Sequence, residues 1–167
     1  MLKHDSIQDY LKVGPQRLAD ARELLEKPTW NPDARDAGHR HLSAAVYLAC
    51  YAVECALKVY IIAMEIDALQ QGDQSLTAAV DARNARGETL NLSGKRAHNL
   101  RVLRGVTDLE ARMDADETIK KCWGAVSKWT TDWRYDPKPY TSHCDARALV
   151  DAADALRTWI DDQRSDL

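Results

Sequence analysis

The 167-residue sequence carries none of the short signatures that mark common enzyme classes. It has no G-x-G-x-x-G, no G-x-x-x-x-G-K-[ST], no G-x-S-x-G and no H-E-x-x-H. These absences disfavour a dinucleotide enzyme, a P-loop NTPase, an α/β hydrolase and a zincin. The four cysteines, Cys50, Cys55, Cys122 and Cys144, form no C-x-x-C pair. A zinc knuckle is therefore not expected, and neither a metal site nor a cofactor is implied. A strong charge of one sign is missing too: the formal net charge is −3, so the whole chain is no general polyanion binder, and any nucleic-acid role must come from a local patch. No alternating β-branched run is long enough for a strand, and there is no internal repeat. Met1 to Tyr10 carries Lys3, His4, Asp5 and Asp9 and does not read as a signal peptide. With no disulfide framework either, a reducing cytoplasm is the expected compartment.

What is present is apolar helical pattern. Apolar residues make up 45% of the chain and charged residues 29%, the balance of a globular domain rather than a disordered one. A single domain over 1–167 is expected, of a length that can bury a core without disulfides or metal. Ile7, Tyr10, Leu11, Leu18, Ala21 and Leu25 recur at helical spacing, predicting a first helix from Ser6 to Glu26 with Ser6 and Asp9 as a capping box. Gly14-Pro15 inside it predicts a kink or a late start. The segment 39–66 is apolar on nearly every side, so the helix it forms is buried all round, or on one side by a partner subunit. Its stretch from Leu42 to Met64 has the length of a membrane span, but Glu54 and Lys58 interrupt the centre, which makes a buried helix the better reading. Cys50 and Cys55 within it read as buried thiols.

Residues 67–97 read as a polar insertion between core helices, with a short helix over Ser75 to Arg86 capped by Asp73 and a loop bracketed by Gly87 and Gly94. A further short helix is expected from His98, with Leu100 and Leu103 inward. Another is expected from Asp114, with Ile119, Cys122, Trp123, Val126, Trp129 and Trp133 as its stripe. The last helix starts at Thr141 or Ser142 and turns Ala146, Leu149, Val150, Ala153, Leu156 and Ile160 to the core.

Three features could carry chemistry. Glu54 precedes Lys58 by four residues, the favourable order for a helical pair. In so apolar a setting the pair either snorkels to an exposed strip, near Tyr47 and Tyr51, or forms the polar wall of a cleft. The segment Arg83 to Arg104 holds Arg83, Arg86, Lys95, Arg96, Arg101 and Arg104 against Glu88 alone, a local charge of +5, with His98 among them. It is either a phosphate-holding patch or a solvated face. Arg134 and Tyr135 follow Trp129 and Trp133 near a helix end, with Tyr140 beyond. Arg134 either meets terminal carbonyls or enters a cleft beside a stacking tyrosine.

Three pieces of sequence in this order resemble the HEPN family: AVYLACYAVECALKVYI, similar to its run ending in Glu–Cys–x–Leu–Lys; RAHNLRVL, similar to its His–(Asp/Asn)–Leu element; and WRYDP, similar to its Trp/Arg–Tyr element before the last helix. The resemblance spans residues 6–160. It implies an all-α, up-and-down bundle of four to five helices, often a homodimer, that binds a nucleotide or RNA. It also implies a partner nucleotidyltransferase in a toxin–antitoxin or defence-type pair, and no membrane. Glu54, Lys58, His98, Arg134 and Tyr135 match family elements and are the ligand-binding residues it implies. Some members are metal-independent RNases that carry an Arg and a His with four to six residues between them. Here Arg134 and His143, the catalytic candidates, have eight residues between them, so that motif is not in its expected place. Two alternatives to a binding module therefore stand: an RNase, and a structural dimerisation protein without ligand.

Overall fold

The computed structural model of the chain describes residues 6–26, 37–69, 73–129 and 143–167; of Ala37 to Arg40 and of His143 it describes the backbone alone. The architecture is an all-α bundle with seven α-helices among the described residues: α1 (Ile7–Glu26), α2 (Ala37–Ala63), α3 (Leu76–Ala85), α4 (Leu100–Gly105), α5 (Leu109–Ala115), α6 (Glu117–Val126) and α7 (His143–Arg164). Within those residues the only β pairing is an isolated bridge between Ser6 and Ser75.

The apolar helix expected over 39–66 is α2, and the other helices are built around it. α1 and α7 pack along it, α4 and α3 cover more of its surface, and α6 packs on α7. Every residue from Ala52 to Ile62 is buried, about three full turns with no exposed side. A helix of this composition has no face to offer water, so burial on every side removes the most apolar surface. By length and composition His41–Ala63 would also serve as a membrane span; here most of it lies inside the bundle. Ala44 is exposed and Tyr47, Leu48 and Tyr51 are half-buried, so one face of the first half of α2 is covered only in part. Cys50 and Cys55 are buried free thiols.

α1 follows its pattern. The Ser6 hydroxyl donates to the Asp9 carboxylate at 2.6 Å and accepts from the Asp9 backbone N–H at 3.2 Å, closing the capping box. The expected late start does not occur, since the helix begins at Ile7 and continues through Pro15. Gly14 is buried where α1 meets α2, close to Cys55 and to the Ala52 carbonyl. Pro15 borders a cleft of about 50 Å³ shared with Ala52, Ala56, Arg157 and Asp161.

Other boundaries moved. α3 is capped by Ser75, whose hydroxyl accepts from the Ala78 N–H at 3.1 Å, while Asp73 supports that hydroxyl from outside the helix. Leu76 and Ala79 are buried, so part of the expected polar insertion joins the core. The helix placed from Asp114 to Trp133 is broken up: Leu109–Ala115 is already helical, Asp116 caps α6 through the N–H groups of Thr118 and Ile119, and α6 ends at Val126. A cap that satisfies orphan donors at Asp116 competes with helix continuing through it. Among the described residues seven helices thus stand where the resemblance implied four to five. Trp129, beyond the helix, is still buried. The start of the last helix at Thr141 or Ser142, and Trp133, lie outside the described residues; α7 buries Ala146, Val150, Ala153, Leu156 and Ile160 as expected, with Leu149 half-buried.

Candidate functional site

Glu54 and Lys58 do not snorkel. Glu54 is fully buried and Lys58 is 4% exposed, with the Lys58 Nζ 2.8 Å from Glu54 Oε1. Four residues along α2 put both side chains on one face, Glu toward the N-terminus, which favours the contact. The Lys58 ammonium also lies 5.0 Å from the centre of the Tyr10 ring, which α1 brings across. An aromatic face attracts a cation, so the ammonium has a charged partner and a π partner in a dry setting. Glu54 Oε2, by contrast, is buried without a hydrogen-bond partner among the described residues.

The same Oε1 takes a third group. His98 Nδ1 is 2.8 Å from it, and the His98 side chain is 41% exposed. Local sequence sets this position. Gly94 opens a 3-10 turn over Gly94–His98 with φ +52°, a backbone region that glycine occupies without strain. Asn99 directly after His98 caps α4, its Oδ1 accepting from the N–H groups of Arg101 and Val102. Leu100 and Leu103, both fully buried, pin α4 to α2. His98 is thus held at the rim by a turn, a cap and two core anchors. An ionised carboxylate accepts hydrogen bonds and donates none, so with Glu54 ionised the ring hydrogen sits on Nδ1 and the Nε2 lone pair is on the outward edge.

Around this triad the helix is apolar or aromatic. Burial pushes the Cys55 thiol up to about 12, with the Glu54 charge adding to the effect. Burial likewise raises Tyr51 to about 12, with Cys55 and Glu54 contributing. Tyr47 and Tyr51 stack with ring centres 6.5 Å apart, and Tyr47 meets Trp129 at 5.7 Å.

The basic segment divides in two. Arg83 bonds Glu88 at 2.8 Å and the Val106 carbonyl at 2.6 Å, and Arg86 bonds Glu65 at 2.6 Å. Arg104 bonds Glu110 at 2.5 Å and stacks over Trp123. Arg83 in turn holds the Glu88 carboxyl below the usual carboxylate range by hydrogen bonding. These three arginines are structural clasps, with partners the segment's own composition hides: Glu65 and Glu110 lie outside it. Lys95, Arg96 and Arg101 are exposed and lie within three residues of His98. The exposed part of the cationic patch is thus on the chain segment that carries His98, with Arg96 Nε donating to the Asn91 carbonyl at 2.9 Å.

Of the residues singled out by sequence, the structure brings Glu54, Lys58 and His98 into contact. Arg134, Tyr135 and Tyr140 lie outside the described residues, as does the side chain of His143, which opens α7. Tyr10 was missed as a site residue; its place in the apolar stripe of α1 gives no signal of a cation above its ring. Among the described residues no group of three or more His, Cys, Asp or Glu could hold a metal ion. Compared with family models, with curated proteins and with solved structures, the chain matches none.

Proposed function

We propose that this chain is a HEPN-like helical module that binds a phosphate-bearing ligand, a nucleotide or RNA, over the His98 rim. The observation that carries the reading is the contact between His98 at the surface and the buried Glu54–Lys58 pair. It ties the family-like element on α2 to the family-like element before α4, although 44 residues separate Glu54 from His98. A histidine fixed through Nδ1 donates from Nε2 to a phosphate oxygen when its ring is protonated, and Lys95, Arg96 and Arg101 supply the surrounding charge. In this proposal the protein works in the cytoplasm, off the membrane, as a homodimer beside a nucleotidyltransferase in a toxin–antitoxin or defence-type pair.

The test is titration of the pure protein with labelled ATP and with short labelled RNAs. Wild type binds, binding weakens as salt is raised, and the triple substitution Lys95→Glu, Arg96→Glu, Arg101→Glu abolishes it while the helical circular dichroism spectrum is kept. No binding at millimolar nucleotide or micromolar RNA removes the reading. Light scattering checks the dimer separately.

A second reading, a metal-independent RNase, is favoured by the carboxylate–histidine contact itself. A histidine oriented by a buried carboxylate is suited to general acid–base work, with Arg134 on the phosphate and His98 or His143 moving the proton. RNA cleavage in EDTA should then be lost in Arg134→Ala; cleavage equal to wild type in that variant removes it.

A further inference from the structure

We propose that His98 is a phosphoryl acceptor, modified on Nε2 by a donor of the nucleoside triphosphate class. The inference rests on the functional reading above only for the identity of that donor. Three observations carry it. The first is the orientation of the ring: Nδ1 is 2.8 Å from a carboxylate that is itself fully buried, while the side chain is 41% exposed. The lone pair of the neutral ring therefore sits on the edge that solvent reaches. The second is the state of that carboxylate. Lys58 meets it at 2.8 Å on Oε1, and among the described residues Oε2 has no hydrogen-bond partner, so both polar contacts of the carboxylate fall on the oxygen that His98 Nδ1 meets. The third is the cationic rim of Lys95, Arg96 and Arg101, exposed on the chain segment that carries His98.

The step balances. Nε2 donates its electron pair to the γ-phosphorus, an N–P bond forms, and the P–O bond to the nucleoside diphosphate breaks, with the diphosphate leaving on its own oxygen. Nothing is oxidised or reduced. The Nδ1 proton stays on the ring, which becomes a phosphoimidazolium, and the Glu54 carboxylate meets the positive charge that develops there. This is the role a buried acid plays behind a histidine in acyl transfer, here placed behind a histidine that is itself the nucleophile. The rim cations meet the incoming phosphoryl oxygens.

The experiment uses potassium phosphoramidate, a small donor that needs no nucleotide pocket and releases ammonia when its P–N bond breaks. Labelling of the intact chain is followed by peptide mass spectrometry at neutral pH, where phosphohistidine survives. His41, which is exposed, is the internal reference. His98 is expected to be labelled at least about tenfold faster than His41, and Glu54→Gln to bring the two rates together. His98 labelled no faster than His41 in the wild-type chain overturns the proposal, and so does Glu54→Gln, still folded by circular dichroism, with the wild-type His98 rate. Because the probe is not a nucleotide, failure of labelling is distinct from failure of ATP or RNA to bind.

Discussion

Glu54 sits where an ion is least welcome, on the central helix with no exposure. Taking a carboxylate out of water is costly, and the cost is recovered only through close partners of opposite charge. Lys58 is the one always at hand, since the exposed His98 ring carries charge only when protonated. Replacing Lys58 alone leaves an uncompensated buried charge, so Lys58→Met should lower unfolding stability by about 3–5 kcal/mol. The double variant Lys58→Met, Glu54→Leu removes both charges with apolar groups of similar size and should recover much of that loss. Urea unfolding of the wild type, the single and the double variant checks the pattern; a double variant less stable than the single would mean that the pair is held for its net attraction. Sequence alone pointed to this pair, because two charges in a run so apolar stand out. It left the direction open. The decision for burial comes from Tyr10 and His98, which reach the pair from α1 and from the turn before α4, and long-range partners leave no trace in local spacing.

At the scale of the helices, close approach depends on small residues. Gly14 on α1 faces α2, and a Cβ there would lie 3.3 Å from Cys55 Cβ and 3.6 Å from the Ala52 carbonyl oxygen. Both neighbours are fixed to the α2 backbone and cannot rotate aside. Gly14→Ala sets this tight contact against the roughly 1 kcal/mol that alanine gains over glycine within a helix, so it should change stability little. Gly14→Val has no such offset and must push α1 from α2, costing about 1–3 kcal/mol. Thermal unfolding of both variants tests the argument, and a stabilised Gly14→Val would show that the helices have room. Element ends were legible where side chains announce them: the Ser6–Asp9 box and the inward Leu100 and Leu103 are local facts of sequence. The division of residues 109–126 into α5 and α6 was not, because Asp116 reads equally as a first-turn acid and as the cap that it is. Half of the expected basic patch was misjudged for a related reason: Arg83, Arg86 and Arg104 find Glu65, Glu88 and Glu110 only after the chain has folded.

For the molecule as a whole, the dry interior that makes the triad unusual also governs how the fold answers to alkali. Cys50 and Cys55 stand on the buried helix, and desolvation pushes both thiols upward from an ordinary value of 9.0, Cys55 to about 12 and Cys50 further. In the unfolded chain these thiols ionise near pH 9.0, whereas in the folded chain they keep their protons. Above that pH the unfolded state binds fewer protons than the folded one, so stability falls as pH rises. The contribution is fully present below pH 9.0 and is lost progressively towards pH 12. Each thiol adds a slope of roughly 1.4 kcal/mol per pH unit within that window. Tyr51 and Tyr60, raised by burial from 10.0 to about 12, steepen the loss further above pH 10.0. Urea midpoints measured under reductant from about pH 8 to about pH 11 should therefore decline with increasing steepness. The double variant Cys50→Ala, Cys55→Ala should start less stable, because it loses buried sulfur, yet decline less steeply between pH 9.0 and 10.0, where the thiols act before the tyrosines. Equal slopes for the two proteins in that interval would mean that water reaches α2 in the folded state, and the same water would reach Glu54.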